Sequence, residues 1–149
     1  MTLLRPAAGR AHVARGAFTA LLLLLSSASG FAAGEFPFDR DFMLDAAPMG
    51  RVKRLPMLVV SPDGDARFQL WCKDVSARVE ISGSAIRIEP APLPDALPAM
   101  MSDGQCSPAR MQADADMLAT LAQMSTWRTA GGRLVLSGPT TLRFWPSDH

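Results

Sequence analysis

Short apolar runs that repeat at every second residue, each stopped by Gly, Pro or Asp, dictate most of what this chain can become. Phe68, Leu70 and Cys72 alternate with Arg67, Gln69, Trp71 and Lys73, the period of a strand with one buried face. Val79 with Ile81 and Ile86 with Ile88 repeat it on either side of Ser82-Gly83-Ser84, a short Gly-bearing hairpin loop. Leu134 with Leu136 and Leu142 with Phe144 repeat it around Gly138-Pro139-Thr140, against Arg133, Val135, Thr141 and Arg143. Upstream, Met57-Leu58-Val59-Val60 is an apolar run of strand length between Pro56 and Pro62, and a short first strand is expected over residues 42–44. Pro62-Asp63-Gly64-Asp65 is a turn for stated reasons: proline presets φ, aspartate bonds its own backbone and glycine accepts positive φ. Antiparallel strands buried on one face follow.

Between the two groups of strands, Pro90, Pro92, Pro94 and Pro98 forbid a helix or a central strand, so this stretch is a surface loop. Ser107 and Pro108 then supply an N-cap and a first helical residue, and Asp114 and Asp116, nearer the helix start than its end, are expected to offset its dipole. Met111, Ala115, Leu118, Leu121 and Ala122 share one stripe, extended by Met117 and Met124. The helix should bury that stripe and end near Ser125, where Trp127 and Thr129 resume a two-residue period before the turn at Gly131-Gly132. The expected fold class is α+β: a curved antiparallel β-sheet with one packed amphipathic α-helix.

The N-terminus reads as an export signal. Arg5, Arg10 and Arg15 stand with no acid among them, the apolar run of residues 17–25 follows, and small residues continue through Ala33. Residues 1–33 are therefore a signal peptide, residues 34–41 a lead-in and residues 42–149 the folded domain, with cleavage between Gly30 and Gly34; the alternative is an uncleaved anchor, for which the apolar core is short. The expected location is the periplasm or the outside of the cell. Without its leader the chain is slightly acidic, which removes any electrostatic case for nucleic acid. Export also governs the two cysteines, Cys72 and Cys106: in an oxidising compartment they are expected to form one disulfide, two buried free thiols being the alternative.

Residues that carry chemistry are sparse. His12 lies in the leader and His149 is the last residue, so no histidine lies in the folded body for a Ser-His or Cys-His nucleophile or a histidine metal site. No enzyme, cofactor or metal is expected. Asp63 and Asp65 are the nearest carboxylate pair, and the turn accounts for both. Met100, Met101, Met111, Met117 and Met124 would suit Cu(I) by ligand softness, yet three of them fall on the expected helix, where methionine fills core gaps. Arg51, Lys53 and Arg54 form the one basic run, a solvated loop or a contact for lipid head groups. Alternation turns Trp71 outward if Cys72 faces the core; with the basic run it makes a candidate interaction surface, unless the Pro-rich loop or the lead-in covers it.

Two blocks carry a family resemblance over roughly residues 42 to 145. The first runs from Cys72 through Ser76 and Gly83 to Ile86-Arg87-Ile88; the second from Met100-Met101 and Cys106 through Met111, Leu118, Leu121, Trp127, Gly131, Arg133-Leu134 and Leu136 to Leu142-Arg143-Phe144. Together they resemble the META/HslJ domain family of small exported or envelope proteins. Lys73 stands where the family usually has asparagine, Asp114 where it usually has glutamate, and Ser102-Asp103-Gly104 lengthens the approach to Cys106. The resemblance implies a non-enzymatic module of envelope stress tolerance that binds an unknown protein or lipid partner, with a monomer expected. Through members similar to secretin pilots it implies, as the alternative, a periplasmic lipid carrier.

Overall fold

A computed structural model describes residues 34–49, 53–95, 101, 104 and 106–147; the leader lies outside the described residues. The elements are β1 (Phe42–Leu44), β2 (Met57–Val60), β3 (Asp65–Gln69), β4 (Asp74–Ser82), β5 (Ala85–Pro90), the helix α1 (Pro108–Leu121), β6 (Thr126–Ala130), β7 (Arg133–Ser137) and β8 (Thr141–Pro146). The local chemistry places the turns. Between β2 and β3 the Ser61 hydroxyl and the Asp65 N–H both donate to the Asp63 carboxylate, which holds it below the usual carboxylate range, the Ser61 bond being the larger cause. Gly64 is required on two counts: its φ is +88°, and a Cβ there would lie 2.6 Å from the Val79 carbonyl oxygen. That close approach lets the Val79 N–H donate to the Gly64 carbonyl at 2.8 Å.

The expected α+β sheet is wrong. Each strand pairs antiparallel with the next, and β1 pairs in turn with β8 through Phe42↔Pro146, Met43↔Trp145 and Leu44↔Phe144, so the sheet closes into an eight-stranded barrel that is mostly β, with one short helix. An open sheet would leave β1 and β8 with unpaired backbone flanks, and closure removes both. Alternation in a sequence reports the two faces of each strand and is silent on which strand meets which. The weakest seam is β5–β6, joined by the single register pair Ala85↔Thr126, and α1 lies against β5 beside it.

Barrels of this strand number are narrow enough for side chains to fill. Leu58, Phe68, Val79, Ile88, Leu134 and Leu136 are all buried in one continuous core, while Arg67, Arg78, Glu80, Arg87 and Glu89 on the alternate positions are exposed. An apolar lumen with a charged outside is the reverse of a transmembrane barrel. The lead-in takes part in the core: Phe36 is buried and meets the Trp127 ring edge-on at 4.9 Å, and Trp127 Nε1 donates to the Gly83 carbonyl at 2.8 Å.

Helix α1 starts as expected, with Ser107 accepting the Arg110 N–H and Pro108 in the first turn, but it stops at Leu121, capped by Ala122, before the expected end near Ser125. Its buried face is also rotated. Arg110, Asp114 and Leu121 are buried, with Ala113, Met117 and Leu118 packed partly against the core, whereas Ala115 and Ala122 are exposed. Two of the inward residues are charged, so apolar periodicity cannot find this face. Leu121→Ala is accordingly expected to cost about 2–3 kcal/mol, and Ala115→Gln to stay within about 0.5 kcal/mol of wild type, both read by denaturant unfolding; a comparable loss at the two positions would return the helix to the expected stripe.

Candidate functional site

The N-terminal half of α1 is joined to the barrel by polar and covalent bonds. After β3 the chain bends tightly, with the Leu70 N–H donating to the Lys73 carbonyl at 2.7 Å. The bend presents the N–H groups of Cys72 and Lys73 towards α1. Asp114, wholly shielded from solvent, accepts both: Cys72 N at 3.2 and 3.3 Å from its two oxygens, and Lys73 N at 2.9 Å. Burial pushes its carboxyl above the ordinary value, against the lowering effect of these bonds. Asp114 therefore anchors the bend, where a contribution to the helix dipole was expected, and no acidic residue lies in the first turn of α1. One residue before the N-cap, Cys106 is bonded to Cys72 with their Cα atoms 5.0 Å apart. Buried Arg110 reaches the Met49 carbonyl in the β1–β2 connection.

The same bend decides Trp71. Alternation lapses after Gln69, and Leu70, Trp71 and Cys72 are buried in succession, so Trp71 belongs to the core, and its Nε1 finds no acceptor among the described residues. Of the basic run, Arg51 lies outside the described residues, Lys53 is exposed, and Arg54 is paired with Asp74. Trp71, Lys53 and Arg54 do not combine into one exposed patch. Among the methionines, Met124 is a core residue and Met101 is half exposed, and Met100 falls outside the described residues.

A different surface lies on the outside of β6, β7 and β8. The registers Arg128↔Val135 and Val135↔Arg143 align one row across the three strands. The row continues to Asp45, whose N–H donates to the Arg143 carbonyl at 2.8 Å. On the neighbouring row, Arg133 stacks on Trp145, its Cζ 3.6 Å from the ring centroid, and Trp145 remains 38 % exposed with Met43 beside it in the register. No carboxylate is paired with Arg128, Arg133 or Arg143 among the described residues. Elsewhere on the barrel, Arg78 pairs with Asp65 and Arg87 with Glu89. The distinction is legible in the sequence: between Asp116 and Asp148 there is no acidic residue, a charge pattern that a search for motifs passes over.

The frame carrying both regions is recognisable: the META domain model matches residues 41–149, from the residue before β1 to the end of the chain. The chain belongs to the META domain family. A protein whose structure was determined by NMR is similar to this META domain in fold, with a TM-score of 0.52 at 14 % identity over 71 % of this chain and 87 % of that one. No curated protein matches the chain. Within the META domain the disulfide, Asp114 and Arg110 all join α1 to connections between strands, whereas the arginine face lies on the strands of the closing hairpins. The first group makes one junction; the second lies on the outside of the barrel, with Arg128 and Arg143 exposed on either side of a buried Val135.

Proposed function

We propose that this META domain is a non-enzymatic binding module of the cell envelope, exported by its N-terminal segment and serving stress tolerance through contacts made on the outside of the barrel. The observation that carries the reading is the filled lumen. Side chains from all eight strands occupy the space a carried lipid would need, and this favours an interaction module over a secretin-pilot-like carrier. The buried charged side chains, Arg110 and Asp114, are already engaged with backbone groups, which supports a structural role for them over a catalytic one. The Cys72–Cys106 bond supports an oxidising compartment and hence export.

Native mass spectrometry of the protein purified from its own host tests the reading. A bare polypeptide mass is the expected result. A retained lipid mass that survives gentle activation would overturn it in favour of the carrier.

A further inference from the structure

We propose that the outer face of β6, β7 and β8 is a docking surface for an anionic membrane, with Arg128, Arg133 and Arg143 meeting lipid phosphates and Trp145 settling at head-group depth. The inference deepens the preceding reading, since it rests on the domain working through its exterior.

Three features of this face argue for it. First, charge is segregated. The strands β3 to β5 interleave acids with bases, whereas β6 to β8 carry three arginines and no acid, and Asp45 at the end of the Arg128–Val135–Arg143 row is the one carboxylate aligned with them. A chain that is acidic overall once its leader is removed thus has one side that attracts anions. Second, the groups are close and share one orientation. Arg128 and Arg143 stand on strands either side of Val135, so their backbones are roughly 10 Å apart, twice the interstrand spacing. Arg133 points the same way on the adjoining row. A planar guanidinium binds phosphate oxygens in pairs, which an ammonium cannot do. Third, an aromatic is set among the charges. Trp145 is one of two large apolar side chains exposed among the described residues, and Arg133 sits over its ring while the residue remains 38 % exposed. Tryptophan with arginine is the pairing that membrane interfaces favour, the ring in the head-group layer and the cation on phosphate. An acidic protein would satisfy the arginines equally well, but gives no reason for the exposed indole between them.

The test uses the purified protein with vesicles of phosphatidylcholine alone and of phosphatidylcholine mixed with phosphatidylglycerol, at low and high salt. Binding is expected for the anionic vesicles alone and should weaken with salt. The combined variant Arg128→Gln, Arg133→Gln, Arg143→Gln should bind about a hundredfold less tightly, near fivefold for each arginine. Its lysine counterpart, which keeps the charge but loses the paired phosphate contacts, should fall between wild type and the glutamine variant. Arg87→Gln, which removes an exposed arginine already paired with Glu89, should behave as wild type. Trp71 and Trp127 are buried, so a blue shift of emission on binding should come from Trp145 and vanish in Trp145→Phe. Equal binding to both lipid compositions, unchanged affinity in the glutamine variant, or an emission that does not move would each overturn the proposal. Soluble polyglutamate bound as tightly as the anionic vesicles would also overturn it, in favour of an acidic polypeptide partner. Failure here together with a bare native mass leaves the binding-module reading standing; a retained lipid mass removes that reading whatever the vesicles show.

Discussion

Cys72→Ala, Cys106→Ala and the double variant are expected to lose the same stability, about 3–4 kcal/mol, because each breaks the same bond. The size follows from the loop. The cysteines are 34 residues apart in sequence, and a crosslink of that span removes much of the freedom of the unfolded chain. For a domain of this size the loss corresponds to a fall in melting temperature on the order of 15 °C. The loop enclosed by the bond contains β4, β5 and the Pro-rich connection, so the bond ties the approach to α1 to the connection between β3 and β4. Urea unfolding of the variants, and of wild type with and without a reductant, checks the result. Reductant should bring wild type down to the variants and leave the double variant unmoved. Losses that add in the double variant would mean that the sulfurs act separately.

Asp114→Ala should cost about 2–4 kcal/mol, since it leaves the buried N–H groups of Cys72 and Lys73 without their acceptor. Asp114→Asn keeps one acceptor oxygen and should lose about 1 kcal/mol. The pair also has a pH signature. Burial raises the folded-state value of Asp114 above its unfolded one, so the folded protein binds the proton more tightly than the unfolded chain does. The stability from that proton is complete below the unfolded value and is lost as pH rises through the elevated folded value. Asparagine does not titrate. The margin of wild type over Asp114→Asn is therefore expected to be greatest in acid and to shrink towards neutrality, measured by denaturant midpoints across that range. Asp63, shifted the opposite way, is common to both proteins and cancels in the difference. A margin that widens with rising pH would show that the N–H bonds outweigh burial.

Much of the barrel could be read from its residues because its local steps are chemical. The turn at residues 62–64, the hairpin at Gly83-Ser84 and the turn at Gly131-Gly132 each follow from what Gly, Pro and Asp do to φ and ψ, and the strands between them alternate as their burial does. What was not legible depends on distant partners. Closure rests on Leu44 meeting Phe144 and Ala85 meeting Thr126, contacts that no local pattern encodes. Alternation turns Trp71 outward only if β3 runs on to Lys73, and it leaves open whether a loop covers the ring; the strand ends at Gln69 and the bend turns three successive side chains inward. Apolar spacing cannot find the inward face of α1, because Arg110 and Asp114 are charged groups whose burial is made tolerable by backbone carbonyl and N–H partners. The arginine face is hard to see for the opposite reason. Its signal is the absence of acids over a long stretch, which stands out less in a sequence than the short basic run at residues 51–54.

Joining the first strand to the last has a consequence for biogenesis. A chain still being synthesised owns β1 but lacks β8, so Phe42 and Leu44 have no partner on one flank until the final hairpin arrives. Completion of the ring is thus postponed to the end of delivery, and a product truncated before residue 141 would carry two sticky margins instead of none. Quality-control proteases would meet such shortened products as substrates, while the finished ring offers them no ragged border.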